Sequence, residues 1–230
     1  MYTLYIANKN YSSWSLRPWI LLHALGIPFE EHSVHLEVGD NWQSFRKFAP
    51  NGKVPCLHDG EHVIWDSLGI TEFLADRHAG VWPDNQAARD WARCASAEMH
   101  AGFQSLRQIC PMHCGFRIQL QTMSNALQHD LDRLDELWCE GLQRFGGPYL
   151  AGKHYTAVDA FFAPVVFRVQ TYDLPLSGKA LAYVQRQLQH PSMLAWENAA
   201  LQETAREPSH EQAALAAGEL LADYRKKVSL

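Results

Sequence analysis

Hydrophobic and polar positions change their period several times within the first 80 residues. The short apolar run YTLYIA (2–7) predicts a strand. SLRPWILLHAL (15–25) spaces its apolar residues helically and is ended by Gly26 and Pro28. FEEHSVHL (29–36) alternates and reads as a strand, and WQSFRKFAP (42–50) as a short helix stopped by Pro50-Asn51-Gly52. KVPCLHDGEHVIWD (53–66) sets two apolar strands around the turn dipeptide Asp59-Gly60. SLGITEFLADRHAG (67–80) is a helix ended by Gly80. The order β-α-β-α-β-β-α predicts one mixed sheet with helices on its faces.

After the stretch AGVWPDNQ (79–86), which reads as a linker, the periodicity becomes helical throughout. Helices are expected over 87–110, 117–145, 156–172, 177–189 and 192–205, with breaks at Pro111, Gly146-Gly147-Pro148, Pro175 and Pro191. EQAALAAGELLADYRKKV (211–228) reads as one more amphipathic helix. The expected fold is therefore an α/β first domain, residues 1–80, followed by an all-helical one, residues 87–230.

Composition narrows the function classes. The 230 residues are 47% hydrophobic and 20% charged, as in globular chains, and the net charge of -5 comes without a basic block. That disfavours a nucleic-acid surface. No apolar run approaches the roughly 18 residues that span a bilayer, so no membrane segment is expected. The N-terminus lacks a basic stretch followed by an apolar one, so no signal peptide is expected. Five scattered cysteines do not make a disulfide framework, and a reduced, cytoplasmic setting is expected.

Three local features could carry chemistry. Val54-Pro55 opens a strand, where proline has no N–H to give the ladder. It is either an ordinary edge proline or a cis peptide that turns backbone groups toward a ligand. Asp66-Ser67 stands at a strand-to-helix junction, where either residue can cap the helix or, with the N-terminal N–H groups, bind a carboxylate. Three serines lie in YSSWS (11–15), just before a helix. Pro18 needs a position without an N–H partner, which puts the helix start near Trp14 or Ser15, with Ser15 as cap. Ser12 and Ser13 then sit above a helix N-terminus, where an anion such as a thiolate is favoured.

Taken together, YSSWSLRPWILLHALGIPFE (11–30), FAPNGKVPCL (48–57) and WDSLGITEFLADRH (65–78) resemble the thioredoxin-like domain of the glutathione S-transferase superfamily in order and spacing. YLAGKHYTAVDAFFAP (149–164) resembles the family's helix-capping box, with Thr156 capping and Asp159 at the third helical position. The resemblance covers roughly residues 2–200, and the serine motif is most similar to that of the zeta class, the maleylacetoacetate isomerases. It implies a thioredoxin-like domain with a mixed four-stranded sheet, an all-α second domain, a homodimer, and glutathione as co-substrate in a detoxifying transferase. By that likeness Ser12, with Ser13 its rival, donates a hydrogen bond to glutathione sulfur. Val54, before Pro55, pairs its backbone with the cysteinyl unit. Asp66 and Ser67 hold the γ-glutamyl end, and Lys53 lies near the glycyl or cysteinyl portion.

The chain departs from that class in two places. Trp14 stands where the class has a cysteine, and Thr171 where it has an arginine one turn past Arg168. Dithiol chemistry in this loop is therefore disfavoured, and the isomerase substrate stays open.

If the likeness holds, SAEMHAGFQSLRQICPMHC (96–114) runs beside the cleft. His100 and Arg107, seven apart, share a helix face with Phe103 and Gln104 between them. Each is either a structural residue or part of a pocket for a small electrophile, walled also by Trp14. Cys110, His113 and Cys114 lack a second ligand pair, Cys56 reads as a buried core thiol, and no metal site is expected. Two other functions remain open: a non-catalytic, dimeric glutathione-binding module, and peroxide reduction through bound glutathione.

Overall fold

A computed structural model describes residues 1–36, 39 and 41–225. The chain runs β1 (Tyr2–Ile6), α1 (Ser13–Ala24), β2 (Phe29–Ser33), α2 (Trp42–Phe45), β3 (Cys56–Asp59), β4 (His62–Trp65) and α3 (Ser67–Ala75). It continues with α4 (Gln86–Ala101), α5 (Gln104–Ile109), β5 (Phe116–Leu120), α6 (Asn125–Arg144), α7 (Ala157–Tyr172), α8 (Gly178–Leu188), α9 (Pro191–Gln202), α10 (Pro208–Leu215) and β6 (Gly218–Asp223). The first four strands form one mixed sheet in the order β2-β1-β3-β4. β1 is parallel to β2 and antiparallel to β3, and the β3–β4 hairpin turns at Asp59-Gly60 as the dipeptide predicts. This is the thioredoxin-like arrangement expected for the first domain.

The two halves meet on α1 and α7. In α7 every residue except Gln170 is buried, as a helix apolar on all sides requires. α1 packs against α7, α9 and α3, and its Leu16, Ile20, Leu21 and Leu22 are wholly buried. The capping box forms, with Asp159 Oδ2 accepting the Thr156 N–H at 3.0 Å. Asp159 Oδ1 accepts from Leu150 N and the Tyr183 hydroxyl, which ties the start of α7 to α8.

Three expectations need correction. The second half is helical apart from a two-stranded antiparallel sheet, β5–β6. β5 overlaps the start of the stretch expected as helix 117–145. Its Phe116 and Ile118 are buried while Gln119 is exposed, a period of two hidden in a mostly helical region. β6 falls inside the expected tail helix 211–228, whose last three residues lie outside the described ones; pairing with β5 overrides its helix-forming composition. The helix expected over 87–110 breaks at Gly102, and Phe103 adopts a left-handed conformation (φ 55°) before α5 begins. Finally, α1 begins at Ser13, slightly before the start expected near Trp14 or Ser15, and Ser15 is not its cap. Pro18 lies within the helix, and Ser12 occupies the N-cap position without a side-chain capping bond.

Candidate active site

The serine loop hangs between β1 and α1. Tyr11 N and Ser12 N both donate to Asn8 O, at 3.2 and 2.9 Å, which folds the loop back on itself. Ser15 is buried, and its Oγ accepts the Ala7 N–H at 3.2 Å and the Ser12 hydroxyl at 2.7 Å. Ser15 is thus a strap across the loop rather than the cap its position suggests. Ser12, Ser13 and Trp14 remain half-buried at the helix entrance.

These residues line a cleft of about 610 Å³ between the two halves of the chain, with Lys53, Val54, Arg107 and Arg168. A recess of about 190 Å³ shares Trp14, Lys53 and Val54 with the cleft and adds Asn51, Pro55, Asp66 and Ser67. The Val54–Pro55 peptide is cis. Asp66 caps α3 by accepting the Leu68 N–H at 2.8 Å, from a left-handed backbone (φ 69°) that non-glycine residues adopt at a cost. Its carboxylate stays exposed on the recess. Ser67 is buried, and its Oγ accepts from Arg17 Nη1 at 3.5 Å.

Trp14 is the divider between the two spaces. The guanidinium of Arg17 lies 4.1 Å from its ring centroid and that of Arg107 4.5 Å. His100 meets the ring edge-on at 5.2 Å, and its Nε2 is 3.7 Å from Asp66 Oδ2. Burial holds His100 below the usual imidazole range, with Asp66 opposing. His100 and Arg107 therefore do come together at Trp14. They meet across the break at Gly102 and not along one helix face, with Arg107 Nη1 donating to His100 O at 3.2 Å. Phe103 turns inward instead, packing edge-on to Phe162 in the core, and does not line the cleft.

The cleft is strongly cationic. Arg168 is buried and donates to Cys110 O and Pro164 O. Burial pulls it down to about 10, and Arg107 adds to the effect. Burial lowers Arg17 well below the arginine range, aided by Arg107 and Arg168 and opposed by Asp66. Among the described residues, none of these three guanidiniums has a carboxylate within 4.0 Å. Of the three, Arg107 and Arg168 line the cleft, and an anion entering it would offset their unpaired charge.

Tyr11 also lines the cleft, but its hydroxyl is committed to Glu211 at 2.6 Å and burial raises its pKa. It is poorly suited to donate a proton toward a ligand. The thiols stay apart from the site. Cys56 and Cys110 are buried and pushed up to about 12, and the Cys114 thiol donates to Lys9 O at 3.5 Å.

Sequence reasoning missed Arg17, Arg168 and His210. The first two carried a signal, since each is a lone charge in an apolar helical run, LRPWILL and VVFRVQ. His210, on α10, comes from a tail with no local pattern to mark it.

Residues 11–77 match the family model described as glutathione S-transferase, N-terminal domain. The chain is 25% identical over 174 residues to a probable maleylacetoacetate isomerase of Vibrio cholerae, covering 72% of this chain and 81% of that one. It is 28% identical over 170 residues to glutathione S-transferase Z2 of Arabidopsis thaliana, covering 69% and 74%. Its fold is shared with an unclassified glutathione S-transferase of Bombyx mori, with a TM-score of 0.70, 19% identity, and 95% and 99% of the chains covered. A glutathione transferase homologue from Burkholderia, solved with bound glutathione, gives a TM-score of 0.63 at 22% identity over 86% and 97%. Residues 11–77 thus carry a glutathione S-transferase N-terminal domain, and the chain as a whole is similar to proteins of the glutathione S-transferase superfamily. Within it, the maleylacetoacetate isomerases and zeta-type transferases are among its relatives.

Proposed function

We propose that this protein is a cytoplasmic, homodimeric transferase that activates glutathione as a thiolate for attack on, or isomerisation of, a small electrophile. The observation that carries the reading is that recess and cleft adjoin, sharing Trp14, Lys53 and Val54 as wall residues, with Ser12 lining the cleft. Asp66 and Ser67 in the recess suit the amino and carboxylate groups of the γ-glutamyl unit, and the first N–H groups of α3 reinforce the carboxylate. The Val54 backbone suits the cysteinyl amide, with Lys53 beside the glycyl end. That leaves sulfur near Ser12 and the N-terminus of α1, where a hydroxyl donor and the helix dipole both favour the anion. Lowering the free thiol from ~8.5 by about two units corresponds to ~3 kcal/mol and makes thiolate the main form at neutral pH. Arg107 and Arg168 suit an electrophile that carries a carboxylate.

Calorimetric titration with glutathione at pH 7, in two buffers of different ionisation enthalpy, tests this reading. Binding with nearly one proton released supports thiolate formation. Binding without release would leave a glutathione-binding module that does not activate its ligand.

A further inference from the structure

The C-terminal segment contributes one titratable side chain to the cleft wall. His210 lines the cleft with Ser12, Tyr11 and Arg168. Its ring lies against Tyr11, with centroids 5.3 Å apart and planes at 29°. Its Nδ1 is 2.5 Å from Oε2 of Glu207, whose side chain is only 4% exposed. The same Oε2 accepts the Ser209 hydroxyl at 2.7 Å and the His210 N–H at 2.8 Å. Burial works against the Glu207 charge, but these hydrogen bonds outweigh it and bring the group down to about 2. An ionised carboxylate at Nδ1 fixes the proton there and leaves Nε2 as the exchangeable nitrogen. With 43% of the side chain exposed, water can reload it.

A carboxylate-oriented imidazole beside a nucleophile site is equipped to move a proton during the reaction. We propose that His210 is the proton donor for conjugate additions in this cleft, Glu207 orienting it; this rests on the glutathione-transferase reading above. The thiol proton leaves to solvent when glutathione binds. The thiolate then forms a C–S bond to the β-carbon of an unsaturated carbonyl, and the alkene π pair moves to the α-carbon as an enolate. Imidazolium Nε2–H gives its proton to that carbon, and neutral His210 takes another from water. Displacement of a halide from an aromatic ring needs no such proton, because the halide leaves with its electron pair. Two classes of electrophile therefore differ in their need for His210.

The groups around the imidazole are Glu207 at Nδ1 and Tyr11 against its face. Glu211, Arg225 and His113 contact Tyr11, Arg206 lies near Glu211, and Arg107, Arg168 and Lys53 line the same cleft. Only the proton-requiring reaction depends on the charge of His210, so the ratio of the two rates cancels effects common to both.

The test measures glutathione addition to benzylideneacetone and glutathione substitution of chlorodinitrobenzene, on the full chain. His210→Gln should lower the addition-to-substitution ratio by about 100-fold, the scale of general acid catalysis. Glu207→Gln should lower it in the same direction by less. An unchanged ratio overturns the proposal, whether both reactions slow together or neither does. If Gln at 210 prevents folding, the ratios of His210→Asn and Glu207→Gln decide instead. If the unmodified protein catalyses neither reaction, the transferase reading fails first and takes this proposal with it.

Discussion

The Ser12 hydroxyl donates to the Ser15 hydroxyl at 2.7 Å, and Ser15 in turn accepts the Ala7 N–H. The Ser12 hydroxyl thus holds its proton toward a buried neighbour anchored to the end of β1, and it donates to a sulfur anion only by rotating away from Ser15. Ser12→Ala should leave the melting temperature nearly unchanged, because Ser12 makes no side-chain cap. It should lower kcat/KM for glutathione about 10- to 100-fold, the worth of one hydrogen bond to a charged group at ~1.5–3 kcal/mol. Ser15→Ala should cost about 1 kcal/mol of stability as well, through the orphaned Ala7 N–H. Full activity in Ser12→Ala alongside loss in Ser13→Ala would move the assignment by one residue.

Arg107 offers a way to separate the two ligands. It lies over Trp14 on the cleft side and contributes nothing to the Asp66–Ser67 recess. Arg107→Gln should raise KM for a carboxylate-bearing electrophile about tenfold, the loss of one charge-assisted contact, and alter KM for a neutral one far less. Steady-state kinetics with a matched acid and amide would show it; equal effects on both would argue that Arg107 only supports Trp14.

Stability should depend on acid through two buried groups working in opposite directions. His113 stacks on Phe116 at 3.7 Å, and its Nδ1 accepts the N–H groups of Gly115 and Phe116. Burial, then Arg225, holds it down to about 3, so its contribution is present above 6.5 and lost as pH falls toward 3. Asp159 is pushed up to about 6 by burial, against its hydrogen bonds, so its contribution is full below 3.8 and lost as pH rises through 6. Each proton is worth up to about 1.4 kcal/mol per pH unit. Denaturant unfolding between pH 4 and 7 should show His113→Asn removing the acid-side loss and Asp159→Asn removing the acid-side gain. Unchanged slopes in both variants would contradict these assignments.

Gly218 opens β6 where no side chain fits. A Cβ there would lie 1.9 Å from Gln119 O, so Gly218→Ala must push the two strands apart. The expected cost is about 1–3 kcal/mol by analogy with overpacked cores. Hydrogen exchange of the β5 amides should rise selectively, since their partners are on β6.

The first sheet was legible because its signals are local. YTLYIA, the alternation in FEEHSVHL and the Asp59-Gly60 turn each stand within a few residues. Ser12, Val54, Asp66 and Ser67 stand at junctions that local signals mark, whereas Lys53 was reached only through the family resemblance. β5 and β6 were hidden because a strand at FRIQL and another at GELLAD require each other, and nothing in either stretch announces a partner a hundred residues away. The meeting of His100 with Arg107 depends on Phe103 taking a left-handed backbone, which a regular period cannot foresee. Arg17 and Arg168 were overlooked because a single charge in an apolar helix has no motif, only a burial that packing reveals.

The loop before Ser12 is fastened from far along the chain. Glu203 Oε1 accepts the Lys9 N–H at 2.6 Å across 194 residues, its Oε2 takes both nitrogens of Asn10, and the Trp196 indole donates to Lys9 O. On the ribosome, β1 and α1 emerge long before Trp196 and Glu203, which clasp the turn between them. The strand and helix can form early while their connecting turn waits for its fastening. Catalytic competence should therefore arrive abruptly, once Glu203 has been translated, and not grow in step with the first domain.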